Sequence, residues 1–151
     1  LPATKIHTFG NYAGDQSGQV LKLSDVPIEH YHRNTTGILE LDRVLGGGLV
    51  PGSVVLIGGD PGIGKSTLLL QTLAYLSQLN TALYVTGEES LKQVSLRAKR
   101  MELDASQLCL LSETRVDAII HQLQQYRPNV AVIDSIQTLF LEQITSAPGS
   151  V

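Results

Sequence analysis

An internal disulfide is excluded, because the chain contains a single cysteine. Cys109 sits in the apolar run Leu108-Cys109-Leu110-Leu111, which reads as a buried strand, so an inert core thiol in a reducing, cytoplasmic setting is expected. No apolar run approaches the ~18–20 residues that span a bilayer. The N-terminus has no charged region followed by an apolar core, so neither a signal peptide nor a membrane partner is expected. There is no excess of positive charge either. The formal net charge is −3, which argues against a basic nucleic-acid surface over the whole chain but not against a local DNA-contacting loop. Internal repeats are absent. What remains is an ordinary globular composition, 42% hydrophobic over 151 residues, enough for one domain with one core. The first residue is Leu, as a cut or processed start would leave it.

Residues 1–23 show no period and are punctuated by Gly10, Gly14 and Gly18, which reads as a linker or lead-in. From residue 24 onward the pattern is that of a single domain. A short helix is predicted over 38–45, with Ile38, Leu41 and Leu45 on one face and Gly46-Gly47-Gly48 as its stop. Ser53–Gly58 is apolar and β-branched and predicts a buried strand. A glycine-rich loop and a helix over 65–78 follow. Strands are predicted over 82–86, 108–111 and 130–134, and helices over 90–102 and from Val116 to a stop at Pro128. Thr114-Arg115-Val116-Asp117 fits a capping box for the last helix. Strands alternating with helices in this way imply an α/β fold, a parallel sheet with helices on both faces.

The loop carries the clearest chemistry. Gly59-Asp60-Pro61-Gly62-Ile63-Gly64-Lys65-Ser66 matches G-x-x-x-x-G-K-[ST] between a predicted strand and a predicted helix. A polyphosphate needs several backbone N–H groups turned inward, and glycines leave room for them. The helix that starts near Lys65 points its positive dipole end at the same place. Lys65 reaches the β and γ phosphates, and the Ser66 hydroxyl suits Mg²⁺. The expected ligand is a nucleotide, ATP or ADP.

Two further carboxylate positions complete the candidate site. Asp134 ends the apolar strand Val130–Ile133, where a carboxylate can hold Mg²⁺. Glu88-Glu89 follow Gly87 at the end of another strand, where an acid can orient and deprotonate the water that attacks the γ-phosphate. Glu88 is the first choice and Glu89 the second; spacing alone does not separate them. Such an acid argues against a small-molecule kinase. Lys92, Arg97, Lys99 and Arg100 read as a solvated helix face, with contact between Arg97 and the base or ribose as the alternative. His30 and His32 have no partners at metal spacing. The tail after Asp134 (Ser135, Gln137, Thr138, then Glu142–Ser150) is a candidate lead into a DNA-contacting loop, but nothing basic or aromatic in these residues makes that case by itself.

Several segments together resemble the bacterial RadA (Sms) family. They are Arg33–Ile38, Glu40–Gly48, Pro51–Ser53, Gly58–Leu69, Gly87–Ser90, Leu96–Ala98 and Asp134–Thr138. The match runs over roughly 24–151. KaiC and the helicase DnaB share the core but are less similar around 40–48. The resemblance implies a RecA-like P-loop ATPase core and a cytoplasmic, DNA-dependent ATPase of homologous recombination and repair. It implies hexameric rings, action on single-stranded and branched DNA, and branch migration alongside the RecA recombinase. By the same resemblance, Lys65, Ser66 and Thr67 bind phosphate and Mg²⁺, Glu88 or Glu89 activates water, and Asp134 is the Walker B acid.

The chain also departs from that family. The four-cysteine zinc motif, the Lys-Asn-Arg-Phe-Gly motif and the Lon-like C-terminal domain are not in this sequence. Zinc is expected only in the absent N-terminal module. The sequence therefore reads as a fragment truncated after the Walker B strand. It carries the nucleotide-binding residues Gly59–Thr67 and the catalytic candidates Lys65, Glu88 and Glu89. The competing expectation is a nucleotide-switched assembly ATPase of the KaiC type with a protein target.

Overall fold

The computed structural model describes residues 20–26 and 32–141. Most of the 1–23 lead-in, His30 and the tail beyond Leu141 lie outside the described residues. The elements run in the order α1 (Leu39–Val44), α2 (Lys65–Ser77), β1 (Ala82–Thr86), α3 (Leu91–Arg100), β2 (Cys109–Ser112), α4 (Val116–Tyr126) and β3 (Val130–Asp134). A 3₁₀ turn, Ile136–Thr138, follows β3.

The three strands form a parallel sheet in the order β2-β1-β3. Thr86 pairs with Ser112 on one side and with Asp134 on the other. The central strand β1 is buried along its whole length. Side chains alternate across a strand, and here the alternation divides the core in two. Ala82 and Tyr84 pack with Leu70 and Leu73 of α2 and Val94 of α3. Leu83 and Val85 pack with Ile119 of α4. Helices thus cover both faces, as the alternating pattern implied. Each fully buried aliphatic side chain in these clusters contributes roughly 1.5–3 kcal/mol by leaving water. Helix α2 is the most enclosed, with Leu70, Thr72, Leu73, Ala74, Leu76 and Ser77 buried, and it packs against both β1 and β3.

Three expectations need correction. Ser53–Gly58 is not a strand, and Val54 and Leu56 are 88% and 77% exposed. A strand exists only when its backbone groups find a neighbour. Among the described residues the sheet ends at β3, and no strand lies beside this segment. Thr114–Asp117 is not a capping box, since the N-cap of α4 is Arg115 and makes no side-chain cap bond. Instead the Glu113 carboxylate accepts from the Arg115 and Thr114 backbone N–H groups at 3.0 and 2.9 Å. The Arg115 backbone bond leads the causes that lower its pKa to about 2. The capping box belongs to α3, where Ser90 and Gln93 satisfy each other's backbone N–H groups. Finally, Cys109 is exposed rather than buried. Among the described residues it opens an edge strand paired on one side only, and its Sγ accepts from the Tyr126 hydroxyl at 3.1 Å.

Candidate active site

The glycine-rich loop enters α2 through Gly64, whose φ of 102° lies in the left-handed region that glycine adopts without a Cβ clash. The first turn of α2 holds Lys65, Ser66 and Thr67, all half-buried, while Gly59–Gly64 are exposed. Helix N-termini leave backbone N–H groups without intrahelical partners, so this end of α2 is built for an anion. The Lys65 ammonium bends back across the loop and donates to the Gly59 and Asp60 carbonyls at 2.6 and 2.8 Å. Beside it a cleft of about 440 Å³ is lined by Ile57, Gly58, Ile63, Gly64, Lys65 and Thr67, among others. Glu88 and Asp134 are not among its walls.

The carboxylates meet at the C-terminal ends of β1 and β3. Gly87 N–H donates to the Asp134 carbonyl at 3.0 Å, which locks the turn after β1 onto β3. Thr86 completes the turn: its buried hydroxyl donates to the Glu89 carbonyl and accepts from the Glu89 N–H, each at 3.0 Å. Gly87 has no room for a side chain. A Cβ there would fall on Thr138 Oγ1, well inside van der Waals contact. Gly87→Ala in the full-length protein is therefore expected to cost roughly 1–3 kcal/mol of stability, the usual range for overpacking. Thermal denaturation checks this, with a loss of ATP turnover expected beside it.

The turn gives the two glutamates different surroundings, which spacing did not reveal. Glu88 is exposed, and one of its oxygens accepts from the Ser135 hydroxyl at 3.2 Å. Glu89 is half-buried and bound to Arg97 at 2.5 Å. Arg97 is therefore not a solvated residue like Lys92, Lys99 and Arg100, which are exposed on the same helix. Its other amino group donates to the Tyr84 hydroxyl at 3.3 Å, so both amino groups are held by protein, while the buried Nε has no partner among the described residues. Tyr84 in turn donates to Asp134 Oδ2. Burial, and then that bond, push the Tyr84 hydroxyl well above its ordinary pKa, so it stays a proton donor. Sequence reading passed over Tyr84. The available signal was a tyrosine in an apolar strand, since a buried phenol finds a partner for its hydroxyl.

A divalent cation fits the donors present. Ser66 in the first turn of α2 and Asp134 at the end of β3 are hard oxygen donors on elements that pack together. One or two protein oxygens, completed by phosphate and water, is the set that Mg²⁺ prefers. Among the described residues no group of three or more His, Cys, Asp or Glu could hold a metal by itself. No helix among them is long and apolar enough to cross a membrane.

Comparison with known proteins decides the family. The model of the family described as "ATPase: KaiC" matches residues 34–110, just over half of the chain and the whole of the loop, α2 and the Glu88-Glu89 turn. The chain belongs to the KaiC-type ATPase family. Within that family it is similar to proteins named DNA repair protein RadA. The one from Pseudomonas aeruginosa is 58% identical over 142 residues, covering 94% of this chain and 31% of the relative. That from Haemophilus influenzae is 51% identical, covering 98% of this chain and 32% of the relative. That from Listeria monocytogenes is 46% identical, covering 99% and 33%. The RadA resemblance read from the motifs is thereby borne out, as is the RecA-like α/β fold. The chain spans about a third of the length of these curated relatives.

Proposed function

We propose that this chain, over residues 24–151, is the ATP-binding and ATP-hydrolysing core of a DNA-dependent motor ATPase acting in DNA repair and homologous recombination. The observation that carries this reading is one juxtaposition: α2, which begins in the Gly59–Ser66 loop, packs on the two strands whose ends present Glu88 and Asp134. Backbone N–H groups of Gly59–Thr67 and the Lys65 ammonium bind the β and γ phosphates. Ser66 and Asp134 hold Mg²⁺, which neutralises charge on the phosphate oxygens when bound. Glu88 accepts the proton of the attacking water, because it is exposed and its carboxylate is not tied to an arginine. Lys65 must leave the Gly59 and Asp60 carbonyls to reach the phosphates, an exchange that phosphate oxygens favour because they carry more charge.

The names of the relatives support DNA as the effector. The similarity to RadA also brings the proposals of a cytoplasmic hexameric ring, of branched and single-stranded DNA as substrates, and of work beside the RecA recombinase. Phosphate release by the full-length protein, measured with and without single-stranded DNA, tests the motor reading. A rate that rises with DNA is expected. A second reading, a slow nucleotide-driven assembly switch with a protein target, is favoured by the KaiC name of the matching family. A steady rate indifferent to DNA would select that reading.

A further inference from the structure

Between the second glutamate and the aspartate runs a chain of side chains that the reaction described above does not use. It begins at Glu89, passes to Arg97 at 2.5 Å and to the Tyr84 hydroxyl at 3.3 Å, and ends at Asp134 Oδ2. Its members come from the turn after β1, from α3, from the centre of β1 and from the end of β3. Tyr84 is fully buried, and the Arg97 and Glu89 side chains are only 14% and 31% exposed.

The chemistry of the groups fixes the direction of every bond. Arginine donates and never accepts. Arg97 therefore occupies a lone pair of the Tyr84 oxygen, and the single phenolic proton goes to Asp134. The carboxylate accepts on Oδ2, which leaves Oδ1 as the freer oxygen. Glu89 offsets the Arg97 charge at the other end. A guanidinium placed among β1, α3 and Tyr84 with no such counter-charge would be costly. The charges alternate along the chain, so each link supports the next.

We propose that Tyr84, Arg97 and Glu89 are positioning residues that orient the Asp134 carboxylate toward Mg²⁺, and that Glu89 serves this chain rather than the attacking water. The inference rests on the reading of Asp134 as the metal-holding acid. Partners behind a metal ligand fix its rotamer and its free lone pairs, and their loss typically weakens metal affinity roughly 10- to 100-fold. The role also accounts for a pair of glutamates where hydrolysis needs one. Glu88 faces the reaction, and Glu89 anchors the arginine.

The test is binding of a fluorescent ATP analogue to the full-length protein, titrated with Mg²⁺ and repeated in EDTA. Tyr84→Phe keeps the ring and removes only the hydroxyl. The Mg²⁺ concentration for half-maximal effect is expected to rise about 10-fold or more, while binding in EDTA stays as in the parent. Glu89→Gln is expected to shift the Mg²⁺ titration in the same direction, and Glu88→Gln to leave it in place. Asp134→Asn is the control for the underlying reading and should remove most of the Mg²⁺ dependence. If Asp134→Asn acts and Tyr84→Phe does not, the positioning chain is wrong and the metal site stands. If Asp134→Asn leaves the Mg²⁺ titration unchanged, the reading of Asp134 fails and takes the chain with it. Should the Tyr84 variant not fold, Arg97→Met, which keeps the aliphatic stem, carries the same expectation and the same overturning result.

Discussion

Lys65→Ala in the full-length protein should lower ATP turnover by roughly 10²–10³-fold, the usual cost of removing one electrostatic stabiliser from developing charge. The size follows from position. Lys65 opens α2, so its charge adds to the backbone N–H groups and dipole of the same helix end. In the structure its ammonium is held by two loop carbonyls, Gly59 and Asp60, at 2.6 and 2.8 Å. The residue thus also shapes the loop, and a weaker grip on ATP is expected together with slower chemistry. Phosphate release under saturating ATP separates the two. A rate restored at high ATP would mean that Lys65 binds the ground state alone. A rate that stays low would place its charge on the transition state.

Glu88→Gln carries the second large effect. Removing a positioned general base typically costs roughly 10²–10⁴-fold in rate. The substitution keeps the shape and can still accept the Ser135 hydroxyl, so the turn should survive and ATP should still bind. Glu89→Gln should reduce turnover much less at saturating Mg²⁺, because Glu89 is engaged by Arg97 at 2.5 Å. Steady-state phosphate release with fluorescent-nucleotide binding beside it reads both variants. Equal losses from the two would undo the division of labour between the glutamates. A larger loss from Glu89→Gln would reverse it.

Residues whose chemistry is local were legible in the sequence. The loop was readable because Gly62 and Gly64 take φ values of 80° and 102° and because Lys65 and Ser66 must follow at fixed spacing. Strands β1 and β3 were readable as apolar runs, and Pro128 marked the end of α4 after Arg127 closes it in a left-handed conformation. What stayed hidden depended on neighbours distant in sequence. Ser53–Gly58 has the composition of a strand, but composition cannot supply a partner edge. Cys109 lies in a run as apolar as the others, and only the strand order shows that this run is at the edge of the sheet. Thr114 fits a capping pattern, yet the helix starts one residue later, with Arg115 as N-cap, and the Val116 N–H goes to the distant Phe140 carbonyl. Glu88 and Glu89 are one chemistry at one place in the sequence. Arg97, eight residues on, distinguishes them, and it can do so only once α3 folds back over β1.

The most direct measurement is a crystal structure of the full-length protein with a non-hydrolysable ATP analogue and Mg²⁺. The γ-phosphate should lie against Lys65 and face Glu88, with the metal between the Ser66 hydroxyl and Asp134 Oδ1 while Tyr84 still holds Oδ2. A nucleotide seated away from the Gly59–Thr67 loop, or a metal with no tie to Asp134 directly or through water, would contradict the assignment of these residues to one ATP site.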